Sequence, residues 1–113
     1  LVSIDAKELG LAQNDLAADG AKVEIIACEV SDERCAVRAT KLAEDIFGGV
    51  DILVNAAGIY GPMGRVIDID PREWRKTLDI NLTGTFLMAR AVLPLMQKKR
   101  SYQRSSPGAK LSN

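Results

Sequence analysis

A short apolar run ends in small and polar residues, a pattern whose residue types suit the binding of a ligand against the backbone. Residues 50–54 are mostly apolar without alternation, which predicts a strand over residues 50–55, buried on both faces of a parallel sheet. The strand is followed by Ala56, Ala57 and Gly58, after Asn55 at its end. Small residues beyond the carboxyl end of a parallel strand let a ligand approach the backbone closely. By themselves, these four residues favour a tight strand exit without a ligand.

A second polar candidate, Asn81, lies on a predicted long helix. Asp70 and Glu73 form a capping box, with Pro71 at the first helical position. The apolar stripe predicted for this helix is Trp74, Leu78, Asn81, Thr85, Ala89, Val92 and Met96. The stripe predicts that Asn81 is largely buried and faces the carboxyl edge of the strand at residues 50–55. A buried Asn needs hydrogen-bond partners, in a functional site or on its own helix backbone, and Gly84 fits either a functional bend or close packing.

Composition and charge exclude several classes of function. The 113 residues contain 15 basic and 15 acidic side chains and no His. Because the formal net charge is zero, we expect no nucleic-acid partner. No apolar stretch is long enough to predict a membrane span. The absence of His excludes Ser-His-Asp and Cys-His catalysis within these residues, and we expect no metal site. Cys28 and Cys35 are predicted to be buried thiols in a reducing compartment, which favours an intracellular, cytoplasmic protein.

Strands alternate with amphipathic helices ahead of residue 50. The predicted elements are a strand at residues 1–4, a helix capped by Asp5 and closed by Gly20, a strand at residues 22–28, and a helix opened by Ser31, Asp32 and Glu33 and closed by Gly48 and Gly49. This order predicts parallel βαβ units. The apolar pattern stops after Lys98, so residues 1–100 are predicted to form the domain and residues 101–113 a polar, disordered tail.

Two motifs together resemble the short-chain dehydrogenase/reductase family. That family has a hydrophobic strand ending in Asn-Asn-Ala-Gly and a helix carrying Asn-Leu/Val-x-Gly-x-Phe. Here residues 55–58 read Asn-Ala-Ala-Gly, with Ala56 in place of the second Asn, and residues 81–86 read Asn-Leu-Thr-Gly-Thr-Phe. The resemblance covers residues 1–100. It implies an α/β fold, a partial Rossmann-type doubly wound parallel sheet of three strands, which binds NAD or NADP.

The resemblance also implies roles for particular residues. Asn81 corresponds to the family's active-site Asn, which supports a helix kink and holds a water in the proton relay. The residues implied for cofactor binding are Ser3, Glu29, Val30, Asn55, Ala56, Ala57 and Gly58. Glu29 stands where the family usually has Asp beside the adenine. Ser3 is nearest to the position that selects between NAD and NADP in the family. The other candidate, Asp5, is predicted to be a helix cap instead, so the choice between the two cofactors stays open.

Other family residues are absent from residues 1–113. These contain no glycine-rich strand-to-helix turn, no matching catalytic Ser and no Tyr-x-x-x-Lys pair, and we reject Tyr102 as the catalytic Tyr because Ser106 follows it four residues later. We expect an oxidoreductase that transfers a hydride between NAD(P) and a small alcohol or carbonyl substrate, with this chain alone inactive. The resemblance implies a homo-oligomer formed through the helix at residues 74–96. The alternative is a non-catalytic, truncated family member that acts through subunit-type interfaces.

The family's strand order, 3-2-1-4-5-6-7, leads to one further expectation. The three predicted strands correspond to the second, third and fourth, so the strands at residues 1–4 and 50–55 should lie about 10 Å apart, twice the spacing of neighbouring strands. Unpaired backbone groups would then make isolated residues 1–113 unstable, prone to aggregate, or able to recruit a strand from another chain.

Overall fold

The computed structural model describes the backbone of residues 1–105 and the side chains of residues 1–101. Its elements, in order, are strand β1 (Val2–Ser3), helix α1 (Ala6–Ala18), strand β2 (Ile26–Ala27), helix α2 (Glu33–Phe47), a 3₁₀ turn (Val66–Asp68), helix α3 (Pro71–Leu78), a π-helical turn (Asp79–Thr83) and helix α4 (Gly84–Ser105). Helix α3, the π-helical turn and α4 follow one another without a break. The predicted tail boundary at residue 100 therefore falls inside α4, and residues 106–113 lie outside the described part of the chain.

The two strands are parallel neighbours, with Val2 opposite Ile26 and Ser3 opposite Ala27. Helix α1 connects them, which confirms the predicted parallel βαβ unit and the partial α/β fold. Each strand is two residues long, shorter than the sequence predicts.

The prediction of a third strand at residues 50–55 is wrong. No described residue pairs with this segment, and the backbone groups of residues 50–58 make no hydrogen bond to any described residue. A cleft of about 670 Å³, lined by residues 1–3 on one side and 50–57 on the other, separates the segment from β1. A strand exists only beside a hydrogen-bonded neighbour, so apolar Ile52 stays 80% exposed and Val54 77%. Residues 1–4 and 50–55 are not hydrogen-bonded to each other, as expected; we name the space between them the strand-gap cleft.

The helix caps follow local sequence, as predicted, although Glu73 makes no hydrogen bond to Asp70 within the described residues. The Asp5 carboxylate accepts hydrogen bonds from the backbone N–H groups of Lys7 and Glu8, both at 2.9 Å. Asp70 accepts from the Arg72 N–H at 2.8 Å, with Pro at the first position of α3. Gly48 closes α2 in the left-handed conformation, at φ 73°. These ends depend on contacts within a few residues, which explains why sequence alone locates them.

A small core lies between α2 and α4. Its buried members are Val30, Cys35, Ala36 and Met88. Helix α4 approaches closely because Gly84 has no side chain: a Cβ there would lie 2.8 Å from Cγ2 of Val30. Gly84 therefore allows close packing, one of the two alternatives left open by the sequence.

The predicted burial of Asn81 is wrong, since the structure leaves this residue exposed. Trp74 and Leu78, from the same predicted stripe, are 55% and 41% exposed. The face turned toward the rest of the protein instead carries Thr77, Ile80, Gly84, Met88 and Val92. The predicted stripe was misplaced because it omits Thr77 and Gly84, which occupy part of the contact face.

The prediction that both cysteines are thiols is also wrong, because Cys28 and Cys35 form a disulfide. Their Cα atoms are 5.7 Å apart, within the range that this bond requires. The turn between β2 and α2 brings the strand end against the first turn of the helix, a proximity that spacing along the sequence does not reveal. Within residues 1–105, no helix combines the length and apolar character needed to cross a bilayer.

Candidate nucleotide site

The carboxyl ends of the strands open onto a cleft of about 430 Å³, which we name the strand-end cleft. Its lining residues are Ser3, Ile4, Cys28, Glu29, Val30, Ala56, Ala57, Gly58, Ile59, Lys76 and Ile80. Ligands of open α/β sheets bind at this edge, and the volume lies within the usual range for small-molecule sites. The structure thus brings together six of the seven residues implied for cofactor binding. Asn55, the seventh, lines the strand-gap cleft instead.

Asn81 fixes one wall of the strand-end cleft by binding the backbone of Ile59. Its Oδ1 accepts the Ile59 N–H at 2.8 Å, and its Nδ2 donates to the Ile59 C=O at 2.9 Å. By donating and accepting in this way, the side-chain amide replaces the two backbone hydrogen bonds that a neighbouring strand would make to Ile59. Gly58 permits this approach, because a Cβ at that position would lie 3.3 Å from Asn81 Oδ1. Asn81 therefore acts here as a positioning residue for the loop after residue 57.

The helix is irregular at Asn81. The π-helical turn Asp79–Thr83 contains this residue, and the backbone N–H of Gly84 donates to the C=O of Asp79. The Thr85 hydroxyl donates to the C=O of Asn81 at 3.2 Å. Such turns occur often at functional sites, and this one coincides with the helix kink that the resemblance implies.

Charges of both signs line this region. Glu29 and Lys76 are the charged side chains of the strand-end cleft, and both also line a neighbouring cleft of about 310 Å³ that includes Arg72 and Arg75. Arg72 is bound to Asp70, and its hydrogen bond lowers the pKa of that carboxyl. Lys76 makes no ion pair within the described residues, so its charge remains available to an anion.

The described residues fit the nucleoside part of a dinucleotide better than its pyrophosphate. The strand-end cleft combines apolar walls with small residues at 56–58, where a sugar and a base could approach the backbone. Phosphates usually bind the free N–H groups at a helix start. Here Asp5, Asp32 and Asp70 bind those groups in α1, α2 and α3, and no glycine-rich turn precedes any of these helices.

Sequence reasoning missed five residues of the cleft: Ile4, Cys28, Ile59, Lys76 and Ile80. Cys28 and Ile59 each adjoin a residue that was predicted. Ile80 immediately precedes Asn81, and Lys76 lies one helical turn before Ile80 on the same face. Helical spacing counted back from the Asn motif would have found both. Ile4 directly follows Ser3 at the end of β1. It would have been found if the residue after the strand had been counted among the candidate site residues.

Known proteins match most of this chain in sequence. A family model described as enoyl-(acyl carrier protein) reductase matches residues 1–106. Short chain dehydrogenase mpl6 of Monascus purpureus is 36% identical over 98 residues, which cover 85% of this chain and 34% of that protein.

Solved structures share the fold. NAD+-bound xylitol dehydrogenase superposes with a TM-score of 0.84 at 26% identity, over 88% of this chain and 38% of that one. A metagenomic short-chain oxidoreductase in complex with NADP gives 0.81 at 27%, over 88% and 45%. The fold is thus that of a partial Rossmann-type α/β domain. The chain belongs to the short-chain dehydrogenase/reductase family, and it spans about a third of the length of the Monascus relative.

Proposed function

We propose that this chain provides the nucleoside-binding half of the NAD(P) site of an oxidoreductase acting on a small alcohol or carbonyl compound. The observation that supports this proposal is the strand-end cleft, where residues after β1, β2 and position 55 converge on Lys76 and Ile80. The nicotinamide of the bound cofactor would donate or accept the hydride.

Each wall of the cleft has a distinct task in this proposal. The carboxylate of Glu29, a residue that lines the cleft, can accept a hydrogen bond from the amino group of adenine, while Val30 and Ile80 supply apolar contacts to a base. The small residues at 56–58 leave room for a ribose beside the backbone. Asn81 holds Ile59, and with it the end of this wall, in place.

We further propose a preference for NADP. A carboxylate at the end of the first of these strands would accept from the ribose 2′-hydroxyl and repel a 2′-phosphate. Ser3 has no charge, and the Asp5 carboxylate is bound to the start of α1. Lys76 adds an unpaired positive charge to the same cleft.

The test is nucleotide affinity, measured by isothermal titration calorimetry on the native protein. We expect NADP to bind more tightly than NAD. We expect Lys76→Gln to reduce that preference by up to about fivefold, since an exposed charge pair contributes at most about 1 kcal/mol. Arg75→Gln is the matched control, because Arg75 lies outside the strand-end cleft. Absence of binding by either nucleotide would reject the proposed function, and equal effects of the two variants would reject the role of Lys76.

A specific observation favours a second candidate function, association through a helix surface. Helix α3, the π-helical turn and helix α4 expose an apolar face, which we name the outer face: Trp74, Leu78, Leu82, Phe86 and Leu93. Most of these residues are four apart, so they share one side of the helix. Exposed apolar faces of this kind mark protein interfaces. We propose that a second copy of the chain covers the outer face, whether or not the assembly is catalytic.

A further inference from the structure

The disulfide between Cys28 and Cys35 lies at the wall of the strand-end cleft. It joins the residue after β2 to the first turn of α2 and closes the turn that contains Glu29 and Val30. Cys28 itself lines the cleft beside those two residues. The bond is thus adjacent to the side chains that we assign to the base of the nucleotide.

The two sulfur atoms lie in different surroundings. Cys35 is 2% exposed and belongs to the buried core with Val30, Ala36 and Met88. Cys28 is half-buried and faces the cleft. Because thiol–disulfide exchange depends on access to the attacked sulfur, a thiol from solution reaches this bond at Cys28.

We propose that Cys28 and Cys35 form a reversible redox site that adjusts nucleotide affinity, an inference that rests on the proposed function. With a dithiol as reductant, its thiolate attacks Cys28 Sγ, and Cys35 Sγ leaves and takes a proton. The second thiol of the reductant then closes a disulfide in the reductant and releases Cys28 as a thiol. The protein gains two electrons and two protons, and the dithiol loses both. A small-molecule disulfide such as glutathione disulfide reverses the reaction, forming the protein disulfide and two glutathione thiols.

The direction of the effect follows from conformational freedom. In the oxidised form, the bond restrains the turn from both ends. The turn also has two backbone hydrogen bonds, Asp32 N–H to Glu29 C=O at 3.1 Å and Cys35 N–H to Asp32 C=O at 2.9 Å, and these would be its local restraints after reduction. Binding to a more mobile wall costs more ordering entropy. The oxidised protein should therefore bind the nucleotide more tightly.

The experiment compares native protein treated with glutathione disulfide and with dithiothreitol. Alkylation in denaturant followed by intact-mass measurement should label neither Cys28 nor Cys35 in the oxidised form and both in the reduced form. Titration with NADP should give an affinity about fivefold higher for the oxidised form, at the lower end of the range for coupled sites. Cys28→Ser, which cannot form the bond, should bind equally under both treatments. Labelling of both cysteines after oxidation, or equal affinities of the two native forms, would overturn the proposal.

Hydrogen exchange separates this inference from the proposed function. Amide exchange at residues 29–32 should be slower in the oxidised native protein and insensitive to treatment in Cys28→Ser. If neither native form binds NADP, the proposed function is rejected. Amide hydrogen exchange at residues 29–32 then tests the redox site by itself. Slower exchange on oxidation supports a redox-controlled wall, and unchanged exchange rejects it.

Discussion

At the position of Gly84, the space between α4 and Val30, in the turn after β2, is too small for a methyl group. A Cβ added there would lie 2.8 Å from Val30 Cγ2 and 3.3 Å from the Val30 carbonyl carbon. One contact partner is backbone, which cannot rotate away. The absence of a side chain therefore sets the separation between the helix and the wall of the strand-end cleft.

Substitution of Gly84 by Ala should destabilise the native protein by about 1–3 kcal/mol, because overpacking outweighs the gain in helix propensity. Gly10 in α1 is the matched control, since a Cβ there meets no atom within 4 Å. Gly10→Ala should stabilise the protein by about 0.4–1 kcal/mol. Urea unfolding of the two variants measures both effects, and a gain in stability from both would contradict the packing argument.

Asn81 acts through two hydrogen bonds to a residue 22 positions away. Asn81→Ala should accelerate amide exchange at Ile59 and destabilise the native protein by about 1–2 kcal/mol, since each bond contributes about 0.5–1.5 kcal/mol. Asn81→Asp retains the acceptor and should preserve protection of the Ile59 N–H. Asn55→Ala removes an exposed amide that makes no hydrogen bond within the described residues and should leave Ile59 unchanged. Unaltered exchange in Asn81→Ala would show that Ile59 is held by other contacts.

At the scale of elements, α3 and α4 present two different faces. The inner face packs Gly84, Met88 and Val92 against the core. The outer face remains exposed and apolar along more than four helical turns, from Trp74 to Leu93. A helix that is apolar on both faces needs a second partner, which supports the proposed association of copies.

Charge placed on the outer face should separate the copies. We expect Leu82→Glu combined with Phe86→Glu to shift the native protein toward monomers in sedimentation velocity, because two carboxylates would be desolvated in each partner. Leu11→Glu is the control: this residue of α1 is 58% exposed and lies away from the outer face. A native protein that is monomeric at all concentrations would reject the association.

At the scale of the whole molecule, the structure is less compact than a domain of this length. The radius of gyration is 17.9 Å, whereas a globular chain of this size has about 13 Å. The strand-gap cleft separates β1 from residues 50–57, and β1 hydrogen-bonds on one side to β2. Much of the apolar surface that a core would bury is therefore exposed.

A polypeptide limited to residues 1–113 should not unfold cooperatively. The unpaired segment at residues 50–58 and exposed Ile52 and Val54 favour aggregation or pairing with a strand of another chain. Size-exclusion chromatography should show aggregates, and near-UV circular dichroism should lack a sharp thermal transition. The same polypeptide should show no dehydrogenase turnover. A monomer with a cooperative transition and native-like near-UV signal would contradict the expected instability.

Local sequence determined the features that depend on neighbours along the chain. The caps at Asp5 and Asp70 and the helix end at Gly48 involve residues no more than a few positions apart. Apolar runs and helix spacing were sufficient to predict the parallel βαβ unit. The paired motifs around Asn55 and Asn81 indicated the family, because residue types at fixed spacing are properties of the sequence itself.

Only the tertiary structure decided which distant groups meet. The Asn81 amide binds Ile59, Cys28 bonds to Cys35, and Lys76 lines the strand-end cleft. The burial predicted for Asn81 was wrong because burial depends on which element covers a helix face. The apolar run at residues 50–55 remained unpaired because a strand requires a hydrogen-bonded neighbour in space, and the sequence of a segment does not supply one.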